Sequence, residues 1–176
     1  MKKTGRPQFH TSPPINGDGS FIPTSACVQK KRVPRSIRVA LIRDTKVPKR
    51  QTAGAAGYDL HFCADADVRL GAGQRALFNT GVIVEIPEGH CGQIWPRSSY
   101  SVKGLDIGAG LIDSDYRGEI KVLLINNGMG AAIITPGDRI AQLVIVPCVM
   151  VGPMEITQMR GLQVTDRGTG GFGSTN

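Results

Sequence analysis

The chain has 176 residues, 40% of them hydrophobic, and a formal net charge of +7. That length suits about one domain, and with no run of ~20 apolar residues a membrane-spanning helix is excluded. The 23 glycines and 11 prolines are scattered too evenly for a long-helix protein and punctuate many short strands instead.

The charge is concentrated at one end. Residues 1–36 carry Lys2, Lys3, Arg6, Lys30, Lys31, Arg32 and Arg35 against Asp18 alone, so nearly all of the net charge sits there. This segment is polar, contains Pro7, Pro13, Pro14, Pro23 and Pro34, and shows no sustained periodicity. It cannot bury enough apolar surface to offset its ordering entropy, which predicts a disordered N-terminal arm over residues 1–36. Its block "KKRVPR" is either a basic import signal or nucleic-acid contact, or a solvated linker with incidental charge. The first twenty residues lack the apolar stretch of a secretory signal. An intracellular protein, nuclear or cytoplasmic, is therefore expected. Cys27, Cys63, Cys91 and Cys148 form no C-x-x-C pair, and His10, His61 and His90 do not complete a zinc site. Reduced thiols follow from that compartment.

From Ile37 the pattern changes. "IRVALIR" alternates, with Ile37, Val39 and Leu41 on one face, as in a half-buried strand. Apolar runs recur at "VRL", "RALFNTGVIVEIP", "CGQIW", "IKVLLIN" and "AAIITPGDRIAQLVIVP". Between and within them lie turn signals at Gly71-Ala72-Gly73, Asn79-Thr80-Gly81, Pro87-Glu88-Gly89, Asn126-Asn127-Gly128 and Pro136-Gly137. Spacing of this kind predicts an all-β sandwich or barrel. "GDRIAQLVI" has some helical character, but its β-branched neighbours favour strand.

Five segments place polar groups where such a fold needs only turns: "AGYDL" (56–60), "PRSSYSVKG" (96–104), "GLIDSDYRGE" (110–119), "GDRIAQL" (137–143) and "RGTGGFGST" (167–175). Taken singly, each has a structural explanation as a cap, a surface ion pair or an exposed strand residue. "GLIDSDYRGEIKVLLIN" is the most informative, because Asp113, Ser114 and Asp115 fall between two apolar runs. That arrangement predicts a hairpin with a polar tip. A carboxylate at the end of a strand is either a turn cap or a general base, and as a base it must reach water directly. The last segment satisfies G-x-G-x-x-G through Gly168, Gly170 and Gly173, yet only three residues follow, so it does not open the helix of a dinucleotide-binding turn.

Together, in this order and at these spacings, the five segments resemble the five motifs of the homotrimeric dUTPase family, with a flavour of its eukaryotic and viral branch in "DIGAGLID". The resemblance spans residues 37–176. It implies a distorted β jelly roll over residues 37–166 and a mobile glycine-rich lid over 167–176. It also implies hydrolysis of dUTP to dUMP and pyrophosphate with Mg²⁺ on the triphosphate, keeping uracil out of DNA and supplying dUMP for thymidylate. A homotrimer with shared active sites is implied as well.

Residue by residue, Asp113 matches the aspartate that activates the attacking water, and Tyr116 the ring that packs on deoxyribose and rejects a 2′-hydroxyl. Gly110, Leu111, Ile112, Asp113 and Lys121 match the hairpin whose backbone pairs with uracil. Arg97, Ser98, Ser99 and Gln142 match the phosphate-binding groups, and Asp59 matches an aspartate that meets the metal through water. Arg167, Phe172, Gly173 and Ser174 match the lid, with Phe172 stacked on uracil and Arg167 on the γ-phosphate. The usual Pro-Arg-Ser-Gly carries Ser99 in place of glycine, which would be strained if that backbone had φ > 0. Two other readings are a nucleotide-sensing regulatory protein on the same fold and a dCTP deaminase. Loss of the catalytic carboxylate or terminal motif would mark the first, and the uracil-type hairpin argues against the second.

Overall fold

The computed structural model describes residues 36–156 and 161–170. The predicted arm, apart from Ser36, lies outside the described residues, as do Phe172, Gly173 and Ser174 of the terminal segment.

The described residues form ten strands and one short helix in chain order. They are β1 (Arg38–Leu41), β2 (Tyr58–His61), β3 (Val68–Leu70), β4 (Arg75–Glu85), β5 (His90–Trp95), α1 (Ser98–Ser101), β6 (Leu105–Gly108), β7 (Leu111–Ile112), β8 (Ile120–Asn126), β9 (Ala132–Ile134) and β10 (Arg139–Pro147). All described pairings are antiparallel. One four-stranded sheet has the order β1-β4-β8-β6, a second β2-β10-β5-β7, and β3 and β9 form a two-stranded ribbon. The all-β expectation holds, including strand rather than helix for the "RIAQLVI" run.

Alternation explains the layers. On β8, Ile120, Val122 and Leu124 are buried while Lys121 is exposed. These meet Phe78, Val82 and Val84 of β4 and Leu60, Ile140 and Leu143 of the other sheet in one core cluster. Each such buried aliphatic or aromatic side chain contributes about 1.5–3 kcal/mol. Phe62 and Phe78 meet edge to face at 4.9 Å between ring centroids. Ile37 and Val39 pack against the core as expected, whereas Leu41 remains 41% exposed at the end of an edge strand.

Two local readings change. Asn79-Thr80-Gly81 is not a reversal but an irregularity inside β4, where the β4–β8 register shifts between Asn79 and Val82. Gly81 has φ +69°, and the buried Thr80 hydroxyl donates to Ile120 O at 2.5 Å, so the ladder is bent and held. Nor do the strands flanking Asp113 pair as a hairpin. β7 joins β5, while β8 joins β4 and β6, so residues 113–119 connect the two sheets. Two residues of β7 find their partners in Gly92 and Gln93, the unfilled edge of the second sheet.

Candidate active site

The second sheet sorts its side chains by parity. A side chain at Gly92 would meet Ile86, Leu143 and Ile112, and Ile94 is buried, so these positions face the core. Cys91, Gln93 and Trp95 therefore face outward. Trp95 Nε1 donates to Gln93 Oε1 at 3.1 Å along that face. Across the ladder, Trp95 opposes Gln142 and Gln93 opposes Leu111. With Asp59 opposite Gln142 on β2, the outward face thus carries residues from the first, third and fourth segments.

At one end lies a cationic cluster. Asp59, 7% exposed, accepts from Gln51 Nε2 at 2.8 Å and Arg139 Nη1 at 3.3 Å through Oδ2, while Arg97 Nε lies 3.4 Å from Oδ1. One carboxylate between two guanidinium groups leaves a net positive cluster, suited to an anion of several charges. Arg97 also donates to Arg139 O at 3.3 Å, and Gln142 Nε2 to Pro96 O at 3.0 Å. Gly57 makes room for this network, since a Cβ there would sit 2.5 Å from Gln142 Oε1 and 2.9 Å from its Cβ. His61 lines an adjoining cavity of about 460 Å³ with Lys46, Lys49 and Arg139. Burial first, and then the Lys46 charge, hold its imidazole below the ordinary value.

Arg97 caps α1 with extended backbone (φ −83°, ψ 142°), and Ser98 and Ser99 occupy the helix's first positions. Among the described residues only Ala109 is a non-glycine with positive φ, so Ser99 carries no such strain. Tyr100 of this helix lines a cavity with Asp138 of the β9–β10 turn. Burial, and then the Asp138 charge, push that phenol up.

Where the connection 113–119 leaves the second sheet for the first, a cavity of about 370 Å³ is lined by Leu77 and Lys121 of the first sheet with Leu111, Ile112, Asp113, Tyr116 and Glu119. Asp113 is exposed, and its carbonyl accepts from Tyr116 N–H at 3.2 Å in the turn that follows. Tyr116, 44% exposed, donates its hydroxyl to Glu119 O at 3.1 Å. Its ring lies over Gly118, where a Cβ would come within 2.3 Å of the hydroxyl oxygen. Glu119 accepts from Gly81 N–H at 2.8 Å, tying this connection to the β4 irregularity. Gly110 contributes differently: its carbonyl accepts from Ile94 N–H at 2.7 Å, and it lines a neighbouring cavity with Trp95 and Leu111.

Arg167 is exposed, and its Nε donates to Gly170 O at 2.9 Å within a local turn where Gly168 has φ +52°. Sequence reasoning assigned no role to Arg139, Gln51, Glu119 or Leu77. Arg139 lies in a quoted segment three residues before Gln142, so its position was the available signal. Its partnership with Asp59 exists only through β2–β10 pairing. Asp59 has both oxygens engaged by donors, and the described residues contain no cluster of three metal-ligating side chains. That donor set suits an outer-sphere role toward a phosphate-bound Mg²⁺ and not direct ligation.

The dUTPase family model matches residues 43–176. The chain belongs to the dUTPase family. A deoxyuridine 5′-triphosphate nucleotidohydrolase of cowpox virus is 44% identical over 140 residues, covering 78% of this chain and 92% of that protein. One from an Anaeromyxobacter strain is 47% identical over 133 residues, covering 74% and 87%. Among solved structures, the dUTPase of Staphylococcus bacteriophage 80alpha, bound to dUpNHpp, superposes with a TM-score of 0.73 at 30% identity, covering 81% of this chain and 99% of that one. A phage phi11 dUTPase variant, described with a structural Mg(II) ion, gives 0.64 at 28% identity over 71% and 99%. The match to a viral dUTPase agrees with the flavour of "DIGAGLID".

Proposed function

We propose that the chain hydrolyses dUTP to dUMP and pyrophosphate. The observation that carries this reading is the cavity that joins Asp113, Tyr116 and Lys121, in a chain that also builds the cationic Asp59–Arg97–Arg139–Gln142 cluster. Uracil occupies the Asp113 end, where backbone groups of 110–113 and Lys121 pair with its edge. A base whose polar edge does not match leaves buried groups unpaired, which is strongly penalised. Tyr116 packs on the deoxyribose and leaves no space for a 2′-hydroxyl. The Asp113 carboxylate takes a proton from water as its oxygen attacks the α-phosphorus and the bond to pyrophosphate breaks. Arg97, Ser98, Ser99 and Gln142 hold the departing phosphates. Mg²⁺ travels on the substrate phosphates and supplies charge neutralisation, with Asp59 meeting it through water.

Shared sites between copies support the same reading. Ile112 opposes Gly92, so Asp113 comes level with Cys91, while Arg97 follows the far end of β5. The six residue steps from Cys91 to Arg97 span roughly 20 Å of extended chain. One phosphorus is not served by both ends of a single chain at that separation, and a homotrimer brings one copy's cationic cluster to another's Asp113. The segment after β10 offers Val149, Met150, Val151 and Met154, each at least 78% exposed, as apolar surface for such contacts.

The test is a nucleotide panel with Mg²⁺, following pyrophosphate. Release from dUTP, with little from UTP, dTTP or dCTP, is expected, and equal turnover of UTP defeats the role given to Tyr116. Asp113→Asn is expected to lower kcat by about 10²–10⁴-fold while still binding the nucleotide. The segment 167–176 is proposed to close over the triphosphate through Arg167, Phe172, Gly173 and Ser174. Ending the chain at Asp166 should then abolish most turnover while circular dichroism keeps its β signature. Full activity of that truncated chain counts against closure.

A further inference from the structure

The outward face of β5 and β10 carries two thiols that the proposed reaction does not use. Cys91 opposes Val146, and the ladder continues past β10 through a hydrogen bond from Cys148 N–H to Gly89 O at 2.8 Å. Cys91 and Cys148 are therefore diagonal neighbours across an antiparallel pair, with side chains on one face. Cys91 is 8% exposed, whereas Cys148 is half-buried and open to small solutes.

A third group stands beside them. β7 flanks β5 on its other side with Ile112 opposite Gly92, which brings Asp113 level with Cys91. Burial, then the Cys148 charge, and then the Asp113 charge push the Cys91 thiol up. One thiol is thus sheltered, its neighbour is accessible, and the sheltered Cys91 stands beside the carboxylate assigned to the attacking water. Cys148 is also where the exposed apolar residues 149–154 depart from the sheet.

We propose that Cys91 and Cys148 form an oxidation site at which a hydroperoxide closes a reversible intrachain disulfide that slows dUTP hydrolysis. In the first step the Cys148 thiolate attacks one peroxide oxygen. The O–O bond breaks, the other oxygen leaves as hydroxide and is protonated to water, and Cys148 becomes a sulfenic acid. The Cys91 sulfur then attacks Cys148 sulfur and displaces the sulfenic oxygen, which leaves as a second water with the Cys91 proton. Two electrons have passed from the sulfurs to one molecule of hydrogen peroxide. A dithiol reverses the bond by exchange. Bonding draws the end of β10 against β5 at the position level with Asp113 and fixes the departure of the apolar segment. Small misplacement of reacting groups is costly in rate. The effect on rate rests on the reading of Asp113 as the base, whereas formation of the disulfide does not.

The experiment treats the full chain with hydrogen peroxide, quenches it, and follows intact mass, peptide maps and dUTP turnover. The expected result is a mass lower by two hydrogens, a peptide joining Cys91 to Cys148, and kcat reduced at least about tenfold and recovered with dithiothreitol. Cys148→Ser and Cys91→Ala should keep basal turnover and lose the peroxide response, while Cys63→Ser should behave like the parent chain. Sulfinic acid at Cys148, a link through Cys27 or Cys63, or a Cys91–Cys148 link with unchanged kcat overturns the proposal. Failure of the base assignment shows separately, as undiminished turnover by reduced Asp113→Asn.

Discussion

At the scale of single residues, the network around Asp59 depends on an absent side chain. Gly57 lies where any Cβ would press into Gln142, a residue that also donates to Pro96 O beside Arg97. Gly57→Ala must therefore displace Gln142 or the β2 backbone. We expect kcat/KM for dUTP to fall by about tenfold or more, a loss of about 1.4 kcal/mol or more in transition-state stabilisation, with little change in melting temperature. Steady-state kinetics beside a thermal melt separates this from general destabilisation, and a large drop in melting temperature with unchanged kcat/KM defeats it. Ser99 shows the opposite case. Glycine is the usual residue there, yet helical backbone lets serine stand without strain, because the position never enters positive φ.

At the scale of elements, alternation in the sequence marked most strands, because a half-buried strand shows its period of two directly. What it did not show was which strand pairs with which. Apolar runs flanking the polar tip around Asp113 suggest a hairpin, but β7 and β8 belong to different sheets. Asn79-Thr80-Gly81 has turn residues, yet partners on β8 keep the strand running through its irregularity. The site was similarly half legible: Asp59, Arg97, Asp113 and Gln142 lie in recognisable segments, while the Asp59–Arg139 pair, 80 residues apart in the chain, arises from pairing alone. Asn126 was marked only as part of a turn signal. It is 1% exposed, donates to Leu70 O at 2.9 Å and Gly130 O at 2.8 Å, and accepts from Gly128 N–H at 2.9 Å. It thereby joins the end of β8 to the β3–β9 ribbon. Asn126→Leu strands three backbone groups and is expected to cost about 2–4 kcal/mol, read as a lower denaturant midpoint with unchanged slope. A midpoint equal to that of the parent chain would show that water replaces those bonds without cost.

At the scale of the whole molecule, the proposed sharing of sites between copies makes a direct prediction. If Asp113 of one copy works with Arg97 of another, two inactive chains can rescue each other. Mixed oligomers refolded from equal amounts of Asp113→Asn and Arg97→Ala should regain activity in about a quarter of their sites, the share in which both intact residues meet under random assembly of a closed ring. Separately refolded pools, mixed afterwards without exchange, should stay inactive. Recovery no greater than in those pools would place each complete site within one chain.

The division of the second sheet into an inner and an outer row has a consequence for how such a chain can change length. Gly92 and Ile94 point inward, and Cys91, Gln93 and Trp95 outward. Deleting or adding one residue within β5 exchanges the rows beyond that point, sending Trp95 toward the core and Ile94 into water. It also turns the chain leading to Arg97 away from Asp59. A change of two residues preserves the rows and only shifts the ladder. Length variation in this strand is thus expected to come in even steps, whereas the stretch from Ala64 to Asp67, which belongs to no strand, is free of that parity.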